Sequence, residues 1–254
     1  MDELVKTNKI LALIPARLNS KRLPNKVVLL IEKLPIIIHV YRRALRAKKI
    51  NDIIICCDDK KIFNLAKKHG AKAMLTSKTH RNGTERICEV YKKIKKKYDL
   101  VVDIQGDEPL INPQHIDKVV NFHLKNKKVD IIVPNLKIRN TVNKNIVKIV
   151  SNLNNDVLYM SRSEIPVGQK KKQKFLKKHL SIVSFRPEAL LNYAKYDRTL
   201  IEKIENIELL RALELGMKIK TLTLSGESFS VDTPNDYKKA KKFMKKDKIF
   251  KIYK

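Results

Sequence analysis

Short apolar runs alternate with helical patterns from residue 10 to residue 125, and this alternation restricts the chain to folds built on a wound sheet. Ile10 to Ile14 reads as a buried strand, and 35–48 then offers Ile37, Val40, Tyr41, Ala44 and Leu45 at helical spacing. The pattern repeats with strands at 52–57, 71–76 and 100–105. Helices are predicted at 60–69, stopped by Gly70, at 84–97, and at 113–125, where Pro113 suits a first helical turn. The order predicts an α/β fold, a doubly wound, mostly parallel sheet with helices on both faces. Beyond Asp130 the runs at 131–137, 147–150 and 157–160 look like strands with no helix between them. Residues 168–178, GQKKKQKFLKK, read as an exposed loop. Helical spacing returns at 187–193 and 200–215, where Ile204, Ile207, Leu210 and Leu213 are candidate core residues. A strand at 218–224 follows, and a last helix begins near Pro234. The expectation is one domain over 1–254, with a β-rich insertion at about 131–186 that serves as a lid or a subunit contact.

Composition excludes several classes. No apolar run approaches the roughly 20 residues of a membrane helix, and the first residues, MDELVKTNK, lack a secretion signal's apolar core. Cytoplasmic residence is the expectation. Only three cysteines occur, and Cys56 and Cys57 point to opposite faces of one strand, so a disulfide framework is not expected. The net charge of +30 invites a polyanion-binding reading. Most of the excess is Lys, in runs such as 92–97 and 238–242 that suit solvated helix faces, and no aromatic residues interleave with them as a stacking platform requires. A specific nucleic-acid partner is therefore not expected.

The strand at Ile10 to Ile14 empties into IPARLNSKRLPNK, a loop with Arg17, Lys21, Arg22 and Lys26 whose path is stiffened by Pro15 and Pro24. In open α/β sheets the binding crevice lies beyond the carboxyl ends of the strands, so these cations face a ligand, and a polyphosphate suits them. Three further segments look like ligand apparatus: TSKTHRNGTER at 76–86, DIQGDEP at 103–109, and VDTP at 231–234. Asp107 and Asp232 follow extended stretches. Each has a plain reading as a helix N-cap; together they form a carboxylate pair of the kind Mg²⁺ takes alongside phosphate oxygens and water. His80 and His179 stand at no zinc-like spacing, and Arg162 has a plain reading as a surface partner of Glu164. Glu205 and Glu208 are three apart and would share one helix face.

In order, IPARLNSKRLPNK, TSKTHRNGTER, DIQGDEP, VKIV, YMSRSEIP, KHLSI and VDTPNDY resemble the 3-deoxy-manno-octulosonate (Kdo) cytidylyltransferase family, from about Lys9 to Phe243. The resemblance implies a nucleotide-diphospho-sugar transferase fold, a homodimer, and transfer of CMP from CTP to the anomeric hydroxyl of an acidic sugar for lipopolysaccharide biosynthesis. By motif position, Arg17, Arg22 and Lys26 would hold the CTP phosphates. Ser77, His80, Arg86 and Gln105 would surround the cytidine, Asp107 and Asp232 would bind Mg²⁺, and Arg162, His179 and Glu208 would line the sugar pocket. Asn25 stands where the family usually has Gly; Asn also visits left-handed backbone. Val183 and Leu209 replace the usual Tyr and Gln near the sugar, which leaves open the same reaction on another acidic sugar, such as an amino-substituted Kdo or a nonulosonic acid.

Overall fold

The computed structural model describes residues 8–20, 22–139, 141–168 and 173–254; Lys21 lies outside them. Twelve strands and nine helices occur among the described residues. The first half of the chain contributes β1 (Ile10–Ala16), β2 (Leu30–Ile31), β3 (Leu34–Pro35), α1 (Ile36–Ala44), β4 (Asp52–Cys57), α2 (Lys60–Lys68), β5 (Ala73–Leu75), α3 (Gly83–Lys93), β6 (Leu100–Ile104) and α4 (Pro113–Lys125). Then come β7 (Ile131–Arg139), β8 (Lys148–Ser151), β9 (Val157–Ser161), β10 (Phe175–His179) and β11 (Ile182–Phe185). The chain closes with α5 (Pro187–Tyr193), α6 (Leu200–Glu205), α7 (Leu209–Glu214), β12 (Ile219–Leu224), α8 (Pro234–Lys246) and α9 (Phe250–Tyr253).

One sheet runs β5-β4-β1-β6-β11-β7-β10-β8-β9, with β12 on the other edge of β7. It is parallel across β5, β4, β1 and β6, and β11 enters antiparallel to both β6 and β7. Every residue of β1 is buried because strands flank it on both edges and helices cover both faces. The period-2 geometry of a strand sorts its side chains: Ile10, Ala12 and Ile14 pack with α1, α2 and α4, whereas Leu11 and Leu13 pack with α3, α5 and α7. Cys56 and Cys57 divide between the two layers in the same way, and all three cysteines are buried free thiols. A third cluster, of Ile31, Ile36, Val231, Met244, Phe250 and Tyr253, binds the chain's end to the hairpin that follows the cationic loop. There the His39 ring meets the Tyr253 hydroxyl at 2.9 Å and donates to the Ile31 carbonyl at 2.8 Å.

Four expectations are corrected. Residues 175–178 are not loop but part of β10, which pairs with β7; Lys177 and Lys178 are spread over the sheet by bonds to Ser151 Oγ (2.6 Å) and the Ser228 carbonyl (3.0 Å). The single helix expected at 200–215 is two, because Asn206 adopts φ 53° and ends α6. Glu205 and Glu208 therefore do not share a helix face, and Ile204, assigned to the core by spacing, is 73% exposed. The break has a tertiary cause: it turns the carbonyls of Glu205 and Asn206 toward the Arg162 guanidinium, each at 3.2 Å.

His123 of α4 is fully buried, accepting from Ser184 Oγ at 2.7 Å while its other nitrogen donates to the Val129 carbonyl at 3.0 Å. Burial pushes its pKa down to about 4, even though the Val129 carbonyl favours the charged ring. The unfolded chain therefore takes up the proton first. The stability His123 contributes is complete above its ordinary value of 6.5 and is lost as pH falls toward about 4. Linkage puts the loss at about 3 kcal/mol, so urea melts of His123→Gln should depend on pH less steeply than wild-type melts by that amount.

Candidate active site

A cleft of about 550 Å³ opens beyond the carboxyl ends of β1 and β6, where Pro15, Ala16 and Arg17 face Gln105, Gly106 and Asp107. The two strand ends touch closely. A Cβ on Gly106 would lie 2.8 Å from the Pro15 carbonyl and 2.8 Å from Ile37 Cδ1, so only glycine fits. Gly106→Ala should destabilise the fold by about 1–3 kcal/mol, read from denaturant melts, because backbone cannot yield as a flexible side chain can.

The cationic loop ends in a single 3-10 turn, Lys26–Val28, entered through Asn25 at φ 57°, the left-handed conformation that Asn tolerates. This turn buries Lys26, and its ammonium touches both Asp107 and Asp232, the latter at 2.9 Å. Arg22 joins the cluster through Asp232 at 2.9 Å and is steadied by Asn145 Oδ1 at 2.6 Å. Burial alone would lower the Lys26 pKa. The charges and hydrogen bonds of the two carboxylates outweigh it and hold the ammonium above its ordinary value. Arg17 lies exposed on the cleft wall.

Neither acid caps a helix. α4 is capped by Asn112, and α8 by Thr233 in a reciprocal capping box with Asp236, which leaves Asp232 free to turn toward Lys26. A backbone bond from Val231 N to the Asp107 carbonyl (2.9 Å) holds the two acid-bearing segments together. The pair presents hard oxygen donors, each about a fifth exposed (22% and 23%), around a point where positive charge already sits. That suits Mg²⁺. Among the described residues no group of three or more His, Cys, Asp or Glu converges as a metal cage, so the protein would supply two carboxylates and leave the remaining positions to water and phosphate.

On one side of this cluster α3 delivers Arg86, 3% exposed, whose guanidinium ties the preceding loop, at the Ser77 carbonyl (3.1 Å), to Asp58 just after β4 (3.3 Å). His80 lines the cleft and is paired with Glu89. Ser77 is exposed and does not line it; its hydroxyl is engaged by Thr79 Oγ1 at 2.7 Å. A side recess of about 160 Å³ branches off between Arg17, Asp58, His80 and Arg86. Gln105 faces the main cleft, and its amide nitrogen donates to Asp103 Oδ2 at 3.0 Å.

On the other side Arg162, His179 and Glu208 meet. The Arg162 fork holds the carbonyls of Glu205, Asn206 and Lys144 (3.3 Å). Burial, with the nearby charges of Lys178 and Arg162, pushes His179 down to about 4, so it is neutral near pH 7, and its buried Nε2 has no partner among the described residues. Glu208 accepts from Thr84 N at 3.2 Å, and burial raises its pKa. Val183 and Leu209 wall this end and are nearly fully covered, at 5% and 2%.

Sequence reasoning missed two features. One is Asp103, 1% exposed inside β6. The other is Arg211, 1% exposed, which bonds Glu202 (2.7 Å) and Glu85 (2.8 Å) and lies over the Tyr193 ring at 4.3 Å, tying α3, α6 and α7 together behind the cleft. The only signal for it is a charged residue inside the apolar helix LLRALEL.

The sequence profile of the cytidylyltransferase family matches residues 11–219. The chain is similar to a 3-deoxy-manno-octulosonate cytidylyltransferase of Thermodesulfovibrio yellowstonii, with 38% identity over 247 residues that cover 91% of this chain and 96% of that one. A protein of the same name from Fusobacterium nucleatum is 36% identical over 244 residues, 95% of this chain and 99% of that one. A solved structure of CMP:2-keto-3-deoxy-manno-octonic acid synthetase complexed with CTP superposes with a TM-score of 0.87 and 31% identity, covering 94% of this chain and 99% of that one.

Proposed function

Because this chain belongs to the 3-deoxy-manno-octulosonate cytidylyltransferase family, we propose that its cleft joins the cytidylyl group of CTP to the anomeric 2-hydroxyl of Kdo. The chain is a nucleotidyltransferase. In the reaction the sugar oxygen bonds to the α-phosphorus, the bond from that phosphorus to the β-phosphate oxygen breaks, the hydroxyl proton goes to solvent, and pyrophosphate leaves. The observation that supports this reading is the meeting of Lys26 with Asp107 and Asp232 at the strand ends, beside Arg22.

Attack at phosphorus asks for in-line positioning and for cations that absorb charge on the leaving group. Arg17, Arg22 and Lys26 supply that charge from one loop. Asp107 and Asp232 would hold Mg²⁺, which when bound supplies further positive charge to the phosphates. His80, Arg86 and Gln105 would position the nucleoside, with Ser77 acting through the loop that Arg86 braces. At the far end Arg162 would meet the sugar carboxylate, while neutral His179 and Glu208 would take sugar hydroxyls. Residues 131–186 would form the β-rich insertion, and we assign it the subunit contact of a homodimer. Three buried free thiols agree with a reducing cytoplasm, and among the described residues no helix is long and apolar enough to cross a membrane.

Val183 and Leu209 give the sugar end two apolar walls, which favours testing a second reading in which another acidic 2-keto-3-deoxy sugar is the better acceptor. Pyrophosphate release should be measured with CTP, Mg²⁺ and a panel of such acids. Kdo is expected to give the highest kcat/KM; far higher efficiency with an amino-substituted or nine-carbon acid would replace it. Salt-sensitive polyanion binding with no turnover of any acid would overturn the enzymatic reading.

A further inference from the structure

Asp103 occupies an unusual place for a carboxyl. It lies in β6, between cross-strand neighbours Leu13 on β1 and Val183 on β11, both apolar, and it is 1% exposed. Among the described residues no cation bonds to it. Its Oδ1 has no hydrogen-bond partner among the described residues, and its Oδ2 accepts from the amide nitrogen of Gln105 at 3.0 Å. Burying a carboxyl this way costs stability, so the site keeps it for something other than packing. It does not line the cleft, whereas Gln105 does.

The geometry fixes which end of Gln105 faces a ligand. The end of the amide that meets Asp103 is the NH₂, which donates to Oδ2; this oxygen accepts when the carboxyl is ionised and equally when a proton sits on the unpartnered Oδ1. The same nitrogen lies 3.0 Å from where a Cβ on Gly83 would stand, so α3 begins with a residue that leaves room for an inward-turned NH₂. With its nitrogen held on the protein side, Gln105 has its carbonyl left for the cleft. We propose that Asp103 is a positioning residue: it grips the Gln105 amide nitrogen from below, so that Gln105 meets the substrate as a hydrogen-bond acceptor and selects a donor, a hydroxyl or an amino group, at that point. The inference rests on the cleft being the substrate site.

If Asp103 acts through Gln105, removing either should do the same harm, and removing both should add little. Asp103→Ala and Gln105→Ala are each expected to raise the KM of the same one of the two substrates about tenfold, with kcat changed much less, and the double variant should be no worse than Gln105→Ala. Asp103→Asn keeps an acceptor oxygen of the same reach and should stay within about twofold of wild type. Effects that multiply in the double variant, a harmless Asp103→Ala or a harmless Gln105→Ala would each overturn the inference while leaving cytidylyl transfer standing. A second measurement covers failure of Asp103→Ala to fold. The Gln105 carboxamide NMR signal, assigned by its loss in Gln105→Ala, should stay protected from hydrogen exchange when CTP is added. Loss of that protection would show the NH₂ turning into the cleft and would sink the proposal. Absence of wild-type turnover with every acid would overturn the functional reading instead, and the exchange measurement would still decide the role of Asp103.

Discussion

Asp107→Asn and Asp232→Asn should each lower kcat by about a hundred- to a thousandfold with little change in melting temperature, because each removes one charge and almost no volume. Lys26 is the reason to expect loss at both positions. Its ammonium touches the two acids together, so neither carboxylate is a bystander held elsewhere by a cap or a surface partner. The same variants should weaken Mn²⁺ binding measured by EPR in the presence of CTP. That readout is independent of turnover. Either variant working within about tenfold of wild type would remove that carboxylate from the assigned pair.

Lys26→Met is expected to move two measurements in opposite directions. The turnover efficiency with CTP should fall about a hundredfold or more, since the leaving pyrophosphate loses a buried cation. Mn²⁺ binding without nucleotide should tighten, by about tenfold, because the internal ammonium no longer occupies the space between the acids. If the acid pair holds the ion as proposed, a divalent ion would have to displace that ammonium, and a triphosphate would ease the exchange by offering Lys26 other anions to hold. Equal Mn²⁺ affinity in the two proteins without CTP would mean that Lys26 does not compete for the site.

How far the sequence foretold this molecule differs from one element to the next, for physical reasons. β1, β4 and β6 were legible because a central strand with both faces covered must be apolar at nearly every position. β10 was not, since Lys177 and Lys178 disguise it as loop and their long stems find partners only in the folded sheet. The split between α6 and α7 was equally hidden. Ile204, Ile207, Leu210 and Leu213 keep helical spacing straight through it, and the cause of the break, the demand of Arg162 for carbonyl partners, comes from the bend just after β9, some forty residues earlier. Within the cleft, the cations and carboxylates stood out because they sit in loops after strand ends, where a charge has little structural use. Asp103 did not, because one carboxyl inside an apolar strand leaves no periodic trace, and its meaning depends on which amide it reaches. Ser77 shows the reverse case: its motif was legible, yet its side chain turns to Thr79 and away from the cleft.

The contacts that gather around the Lys26 ammonium reach across 81 residues to Asp107 and across 206 to Asp232. During synthesis the sheet's first strands emerge long before the second acid does. A nascent chain paused before that point would carry only one of the two acids proposed for the metal. On that assignment catalytic competence would arrive late in synthesis, and a half-made copy would consume no CTP.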